Sequence, residues 1–135
     1  MKMRKIILLL FIIFTSSCSS TSVVSVHPEG NYLPDATVGK EYHASIFIKG
    51  GSVYVIEGTP VIIEPADSGI RWSPLRKKFI LDGKEEISEN YNHLIISGKP
   101  SKVGEIHITV GGGVSGTMFT GGGGFNKTYT IKVKE

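Results

Sequence analysis

The chain has 135 residues, enough for one domain with a modest core, and its single cysteine excludes an internal disulfide. Its formal net charge is +3, from 15 basic and 12 acidic residues. Three basic residues, Lys2, Arg4 and Lys5, stand at the extreme N-terminus, so the remaining 12 basic residues balance the 12 acidic ones. Such a chain lacks the basic stripe typical of nucleic-acid binding, and no nucleic-acid partner is expected.

The N-terminal segment has the pattern of an export signal. A basic head, MKMRK, is followed by an apolar run from Ile6 to Phe14 and then by small residues. The run is about half of the roughly 20 apolar residues that a membrane-spanning helix needs. A buried core helix is the alternative, but the basic head and the terminal position argue against it. Residues 1–17 are therefore predicted to be a signal peptide.

The small residues end at Cys18, in the sequence TSSC. This segment resembles a bacterial lipobox, although Thr15 stands where that motif usually has leucine. The resemblance implies that Cys18 is lipidated and becomes the first residue of the mature protein, anchored in the membrane by its acyl chains. Cleavage by the ordinary signal peptidase, with Cys18 incidental, is the alternative. By resemblance to Gram-negative lipoproteins, Ser19 after the cysteine implies an outer-membrane location, facing the periplasm.

Residues 18–25 form a Ser/Thr-rich tether, and residues 26–135 are predicted to form one domain. Strand patterns dominate that domain. In EYHASIFIK, the residues Tyr42, Ala44, Ile46 and Ile48 alternate with polar ones, which indicates a half-buried strand. Further strands are predicted in VVSVH, SVYVIEG, PVIIEP, HLIISG, EIHITVGG and KTYTIKVKE. A helical turn or two is expected only around DGKEEISENY. Short strands separated by Gly and Pro predict an all-β fold, a single antiparallel β-sandwich.

Two segments carry a family resemblance. LPDATVGKEYHASIFIKGG and LIISGKPSKVGEIHITVGGG, with the closing strand TYTIKV, resemble the immunoglobulin-like, cadherin-like domains of bacterial surface proteins. The resemblance covers Leu33 to Glu135 and departs from the family at Ser73 to Asn92, which is longer and more charged. It implies an immunoglobulin-like β-sandwich on the cell envelope, and it implies no chemistry.

The glycine tract from Gly111 to Gly124 is the most unusual stretch. It lacks the Lys-Ser/Thr of a phosphate-binding loop, so a flexible connection between the last two strands is expected. The alternative is a partner-binding loop that presents Met118 and Phe119. The charged insert Ser73 to Asn92 is the second place where a partner site is expected.

Residues for metal or cofactor binding do not cluster in the sequence. The four histidines lack the close spacing of a metal site, although His43 and His107 fall on outward strand faces that would allow them to meet across a sheet. Asp35, Asp67 and Asp82 stand isolated, which does not suit calcium. No metal and no cofactor are expected.

Catalytic patterns are also lacking. Neither Gly-x-Ser-x-Gly nor Ser-x-x-Lys occurs after Cys18, so no catalytic residue is assigned and the protein is expected not to be an enzyme. The expected function is a non-enzymatic binding or structural module with an envelope protein or the cell wall as partner. One rival is a carbohydrate- or peptidoglycan-binding module, which requires Trp72 and Tyr91 on one exposed face. Another is a small periplasmic hydrolase or its inhibitor; a hydrolase requires His43 or His107 beside a carboxylate and a nucleophile.

Overall fold

The computed structural model describes residues 23–54, 60–118 and 121–135, so the predicted signal peptide, Cys18 and Phe119 lie outside the described residues. Within these ranges the chain forms nine β-strands and no helix. They are β1 (Ser25–His27), β2 (Ala36–Thr37), β3 (Tyr42–Lys49), β4 (Ser52–Tyr54), β5 (Val61–Glu64), β6 (Ile70–Leu81), β7 (Lys84–Gly98), β8 (Gly104–Ser115) and β9 (Gly123–Lys134). A search of the same ranges for a helix of membrane-spanning length and hydrophobicity found none.

The strands form two sheets. The first sheet has the order β1-β3-β7-β6 and is antiparallel throughout. The second has the order β2-β9-β8-β4, with β5 pairing a separate part of β8, and only its edge pair β2–β9 is parallel. The predicted all-β, immunoglobulin-like sandwich is confirmed, since both sheets turn one apolar face to a shared core.

Alternation along each strand decides which side chains enter the core. The predicted inward set of β3, Tyr42, Ala44, Ile46 and Ile48, is buried as expected. The second sheet contributes the corresponding residues of β8 and β9. The side chains with no exposed surface are Ile46, Ile96, Ile108, Val110, Tyr129 and Ile131. These residues come from both sheets, so the core lies between the sheets as in other sandwiches.

The helical turn predicted around DGKEEISENY is wrong, because these residues begin β7 in a hairpin with β6. Asp82 and Gly83 form the turn, and both have positive φ, 50° and 77°. Two consecutive residues with positive φ are typical of the type I′ turn, which Asp-Gly favours and which matches the twist of paired strands. The acidic residues after Gly83 therefore pair across a hairpin.

Tyr129 is the largest fully buried side chain, and its hydroxyl donates a 2.6 Å hydrogen bond to the Pro28 carbonyl. Burial raises the pKa of Tyr129 to about 12. Burial, assisted by the charge of Asp35, also raises the pKa of Tyr42 to about 12. Each phenol is therefore held in its neutral form in the folded protein.

This burial predicts a loss of stability at alkaline pH. An exposed tyrosine in the unfolded chain loses its proton near pH 10, so between about pH 10 and 12 the folded state binds more protons than the unfolded state. Below about pH 10, ionisation of Tyr42 and Tyr129 should not change the free energy of unfolding. As the pH rises from about 10 to about 12, the free energy of unfolding should fall. In Tyr129→Phe the fall should be roughly halved, since Tyr42 is then the one buried phenol of the two that remains, and urea unfolding across this pH range measures it. An unchanged alkaline slope in the variant would contradict the assignment.

Candidate interaction surface

The first sheet extends beyond the sandwich as a two-stranded arm. We use "the arm" for Leu75–Leu81 of β6 together with Lys84–Asn90 of β7. The pairing register shifts at a bulge between Pro74 and Leu75 and then runs without interruption to Leu81, which pairs with Lys84. At about 3.3 Å per residue the arm is about 20 Å long. It corresponds to most of the charged insert that the sequence singled out.

Both faces of the arm carry exposed apolar side chains. Phe79 and Leu81 lie on one face and are 44% and 56% exposed. Ile80 and Ile87 lie on the other face and are 69% and 56% exposed. Single exposed apolar residues are ordinary, but an exposed apolar pair on each face of one hairpin tip is a concentration of the kind found at contact sites.

The two strands of the arm carry charges of opposite sign. The β6 strand has Arg76, Lys77 and Lys78, and the β7 strand has Glu85, Glu86 and Glu89 with one basic residue, Lys84, at its start. Arg76 pairs with Glu89 at 2.8 Å, and Lys78 pairs with Glu85 at 2.6 Å. Among the described residues, Lys77 and Glu86 take part in no ion pair. These exposed pairs add little to stability, so the charges mainly determine what the arm attracts.

Glu89 organises the base of the arm. One of its carboxylate oxygens accepts from Arg76, and the other accepts a 2.8 Å hydrogen bond from the Tyr91 hydroxyl. The hydrogen bonds from Arg76 and Tyr91 lower the pKa of Glu89, and the bond to Glu89 raises the pKa of Tyr91. Glu89 therefore stays ionised and Tyr91 stays protonated, which keeps this three-residue contact intact at neutral pH.

Asn92 connects the arm-bearing strand to the other sheet. Its amide nitrogen donates to the carbonyls of Ile48 and Gly51, at 2.9 and 2.7 Å, and its amide oxygen accepts from the Val53 backbone N–H at 2.9 Å. One side chain thus holds the corner where the chain passes from β3 in the first sheet to β4 in the second. Beside it lies an open groove of about 290 Å³, with Leu75 and Tyr91 among its lining residues.

The glycine tract is largely strand, which corrects the expectation of a flexible connection from Gly111 to Gly124. Gly111, Gly112 and Gly113 belong to β8 and pair with β9. A Cβ on Gly113 would lie 2.6 Å from the Tyr54 hydroxyl, and one on Gly112 would lie 3.2 Å from the Phe125 ring. Glycine is needed here because aromatic rings lie against the backbone, a packing that also stabilises glycine-containing strands.

Four features meet at one end of the sandwich, which we call the arm-bearing end. Ser52 pairs with Ser115, so the β8–β9 connection lies beside β4 and hence beside Asn92. Met118 in that connection is 94% exposed. The described chain also begins at this end, since the Val23 carbonyl lies against Gly50. The arm, the β8–β9 connection, the groove and the N-terminal entry are therefore neighbours.

The residues predicted for other functions do not come together. His43 is on β3 of the first sheet and His107 is on β8 of the second, so they do not meet across a sheet. Trp72 pairs with the buried Ile96 and packs against the core, whereas Tyr91 lies in the irregular stretch of β7 between Asn90 and Leu94, where its hydroxyl is bonded to Glu89. The described residues contain no group of three or more side chains placed to hold a metal ion.

Comparisons with known proteins returned no relatives. No protein-family model matches the chain, and searches of curated proteins and of solved structures found no match either.

The contacts of Asn92 predict a test of how the arm-bearing end is held. Asn92→Ala removes three hydrogen bonds and leaves a partly buried corner with unpaired groups, so the free energy of unfolding should fall by about 2 kcal/mol. Asn126→Ala is the matched control, because Asn126 is exposed, and its change should stay within about 0.5 kcal/mol. Denaturant titration measures both. Equal effects in the two variants would show that Asn92 does not hold the corner.

Proposed function

We propose that the chain is an envelope lipoprotein, anchored through Cys18, that acts as a non-enzymatic binding or structural accessory module. Its contacts are made through the arm-bearing end. The observation that carries the proposal is the arm, which extends about 20 Å from the sandwich and keeps its apolar tip exposed. A hairpin that adds so little to the core is best explained by contact with a partner.

The position of the N-terminal entry supports a membrane-proximal role for this end. Cys18 precedes Val23 by five residues, which span at most about 18 Å when fully extended. A diacylglyceryl group on Cys18 would therefore keep the arm-bearing end within about one arm length of the lipid surface. By the same resemblance, we propose that this surface is the periplasmic face of the outer membrane. The expected partners are the membrane through the anchor and an envelope protein through the arm.

The two rival functions find less support. A sugar-binding platform of Trp72 and Tyr91 requires both rings on one exposed face, but Trp72 packs against the core and the Tyr91 hydroxyl is bonded to Glu89. A hydrolytic site built on His43 or His107 requires a carboxylate and a nucleophile beside either ring. His43 has neither among its described contacts. His107 lies 3.1 Å from the Thr130 hydroxyl and 3.8 Å from the Glu105 carboxylate, but the side chains of His107 and Glu105 are 46% and 56% exposed, and this solvated set lacks the exclusion of water that an active site provides. A binding or structural role accordingly remains the preferred proposal.

Lipidation is tested by the mass of the membrane-bound protein. We expect a mature chain that begins at Cys18 and carries a diacylglyceryl group, because two or more acyl chains give stable anchoring. Cys18→Ala should shift the protein out of the membrane fraction, whereas Ser17→Ala should not. Ser19→Asp should retain the protein in the inner membrane. A mature protein with unmodified Cys18 would refute the anchor.

The binding role is tested by capture from detergent-solubilised envelopes, with the full chain carrying a C-terminal tag. We expect one envelope protein, identified by mass spectrometry, to be captured specifically. The double variant Phe79→Ser with Leu81→Ser should reduce that capture about ten-fold, since buried apolar anchors dominate binding energy. Ile62→Ser is the control, because Ile62 is similarly exposed but lies on β5.

Equal capture by the wild type and the arm variant would refute the arm as the contact surface. Capture of cell-wall fragments alone would favour the carbohydrate-binding alternative.

A further inference from the structure

Both edges of the arm are open. β6 is the last strand of the first sheet, and β3 covers β7 only from His93 to Gly98. Within the described residues no strand pairs with the outer edge of β6 or with β7 from Lys84 to Tyr91. Each edge therefore presents a row of backbone donors and acceptors that another strand can use.

The two open edges carry opposite charges. The β6 edge presents Arg76, Lys77 and Lys78, whereas the β7 edge presents three acids, Glu85, Glu86 and Glu89, and one base, Lys84, and is net acidic. Two β6 edges repel each other, as do two β7 edges, because like charges opposed across paired strands are unfavourable. A β6 edge and a β7 edge attract each other. The charge pattern thus favours one pairing of arms and disfavours the other two.

We propose that the arm binds a second copy of this chain, with the β6 edge of one arm paired to the β7 edge of the next. The inference rests on the proposed function, because it names the partner of the same arm. The association is head-to-tail, so each copy uses both edges and the copies form a ring or a row.

The geometry of two arms side by side suits this pairing. When neighbouring arms point in the same direction, β6 of one copy is antiparallel to β7 of the next, so the sheet continues across the contact. When the two arms lie at the same height, β6 of one copy pairs with β7 of the next in the same register as within one arm. Arg76 then lies opposite Glu89 of the neighbouring copy. Lys77 then lies diagonal to Glu86 of the neighbouring copy, within reach of long side chains. Lys77 and Glu86, which take part in no ion pair among the described residues, thus come within reach of each other between copies.

The apolar residues and the anchor are consistent with the same arrangement. In this register Ile80 lies diagonal to Ile87 of the neighbouring copy, so exposed apolar surface is covered on that face. Copies anchored in one membrane through Cys18 all turn the arm-bearing end to the same side. Parallel arms in a row or ring satisfy that condition, whereas a two-fold pairing of oppositely directed arms does not.

The test is co-purification of two differently tagged full-length copies from detergent-solubilised membranes. The tags follow Glu135, because β9 ends beside Gly104, at the end of the sandwich opposite the arm. Wild-type copies should co-purify. Lys77→Glu places an acid beside Glu86 of the neighbouring copy, and Glu86→Lys places a base beside Lys77 of the neighbouring copy. Each variant should therefore co-purify with itself about ten-fold less well. A mixture of the two variants should recover the lost association, because position 77 of one variant and position 86 of the other then carry opposite charges.

Neither substitution removes a described intramolecular ion pair, so the Arg76–Glu89 and Lys78–Glu85 pairs of the arm stay in place. Lys40→Glu is the control for a change of charge, since Lys40 is exposed near Gly39 at the opposite end, and it should not alter co-purification.

Wild-type copies that do not co-purify, single variants without effect, or a mixture that fails to recover association would each overturn the proposal. A foreign envelope protein or the lipid surface would then be the partner that contacts the arm. The proposed function would still be tested separately, by the mass of the membrane-bound protein and by the capture of an envelope protein.

Discussion

The backbone ladder between β6 and β7 supports the arm, on which the proposed contacts depend. Its inner half lies in the core, where Leu94 and Ile96 are 1% and 0% exposed, and its outer half forms the arm. A two-stranded hairpin alone is marginal in water, because it buries too little apolar surface to offset the entropy of ordering its chain. The arm is therefore ordered by continuity with strands that the core holds. Its charges and apolar residues are free for contact because the core does not need them.

The corner beside the arm depends on a different kind of interaction. Asn92 satisfies backbone groups on both strands of the β3–β4 corner, and Tyr54 beyond it lies against Gly113. The glycines of β8 allow a ring to approach the backbone more closely than any Cβ would permit. Hydrogen bonding and close aromatic packing, rather than aliphatic burial, thus shape this end of the sandwich. These contacts allow the open groove beside Asn92, whereas aliphatic side chains packed at this end would fill that space.

The strands whose side chains alternate could be predicted from the sequence, because burial on one face imposes a period of two, as in Tyr42 to Ile48. The arm could not be predicted in this way, because Lys84 to Asn90 is charged and shows no alternation. The strand state of these residues comes from pairing with β6, although Asp82-Gly83 was a usable hairpin signal. The strand state of Gly111 to Gly113 could not be predicted either, since glycine has no side chain that would show a period of two. The meeting of these features at one end depends on strand order, which local patterns do not encode.

The position of β1 has a mechanical consequence. Any tension on the chain before Val23 is applied first to a strand of three residues, held by its pairing with Phe47 to Lys49. Val26 of β1 and Val24 just before it are only partly buried, so β1 can detach while the buried residues of β3 and β7 stay in place. Detachment of Ser25 to His27 lengthens the connection by about 10 Å. The first strand thus acts as an extensible element between the sandwich and whatever holds its N-terminal segment.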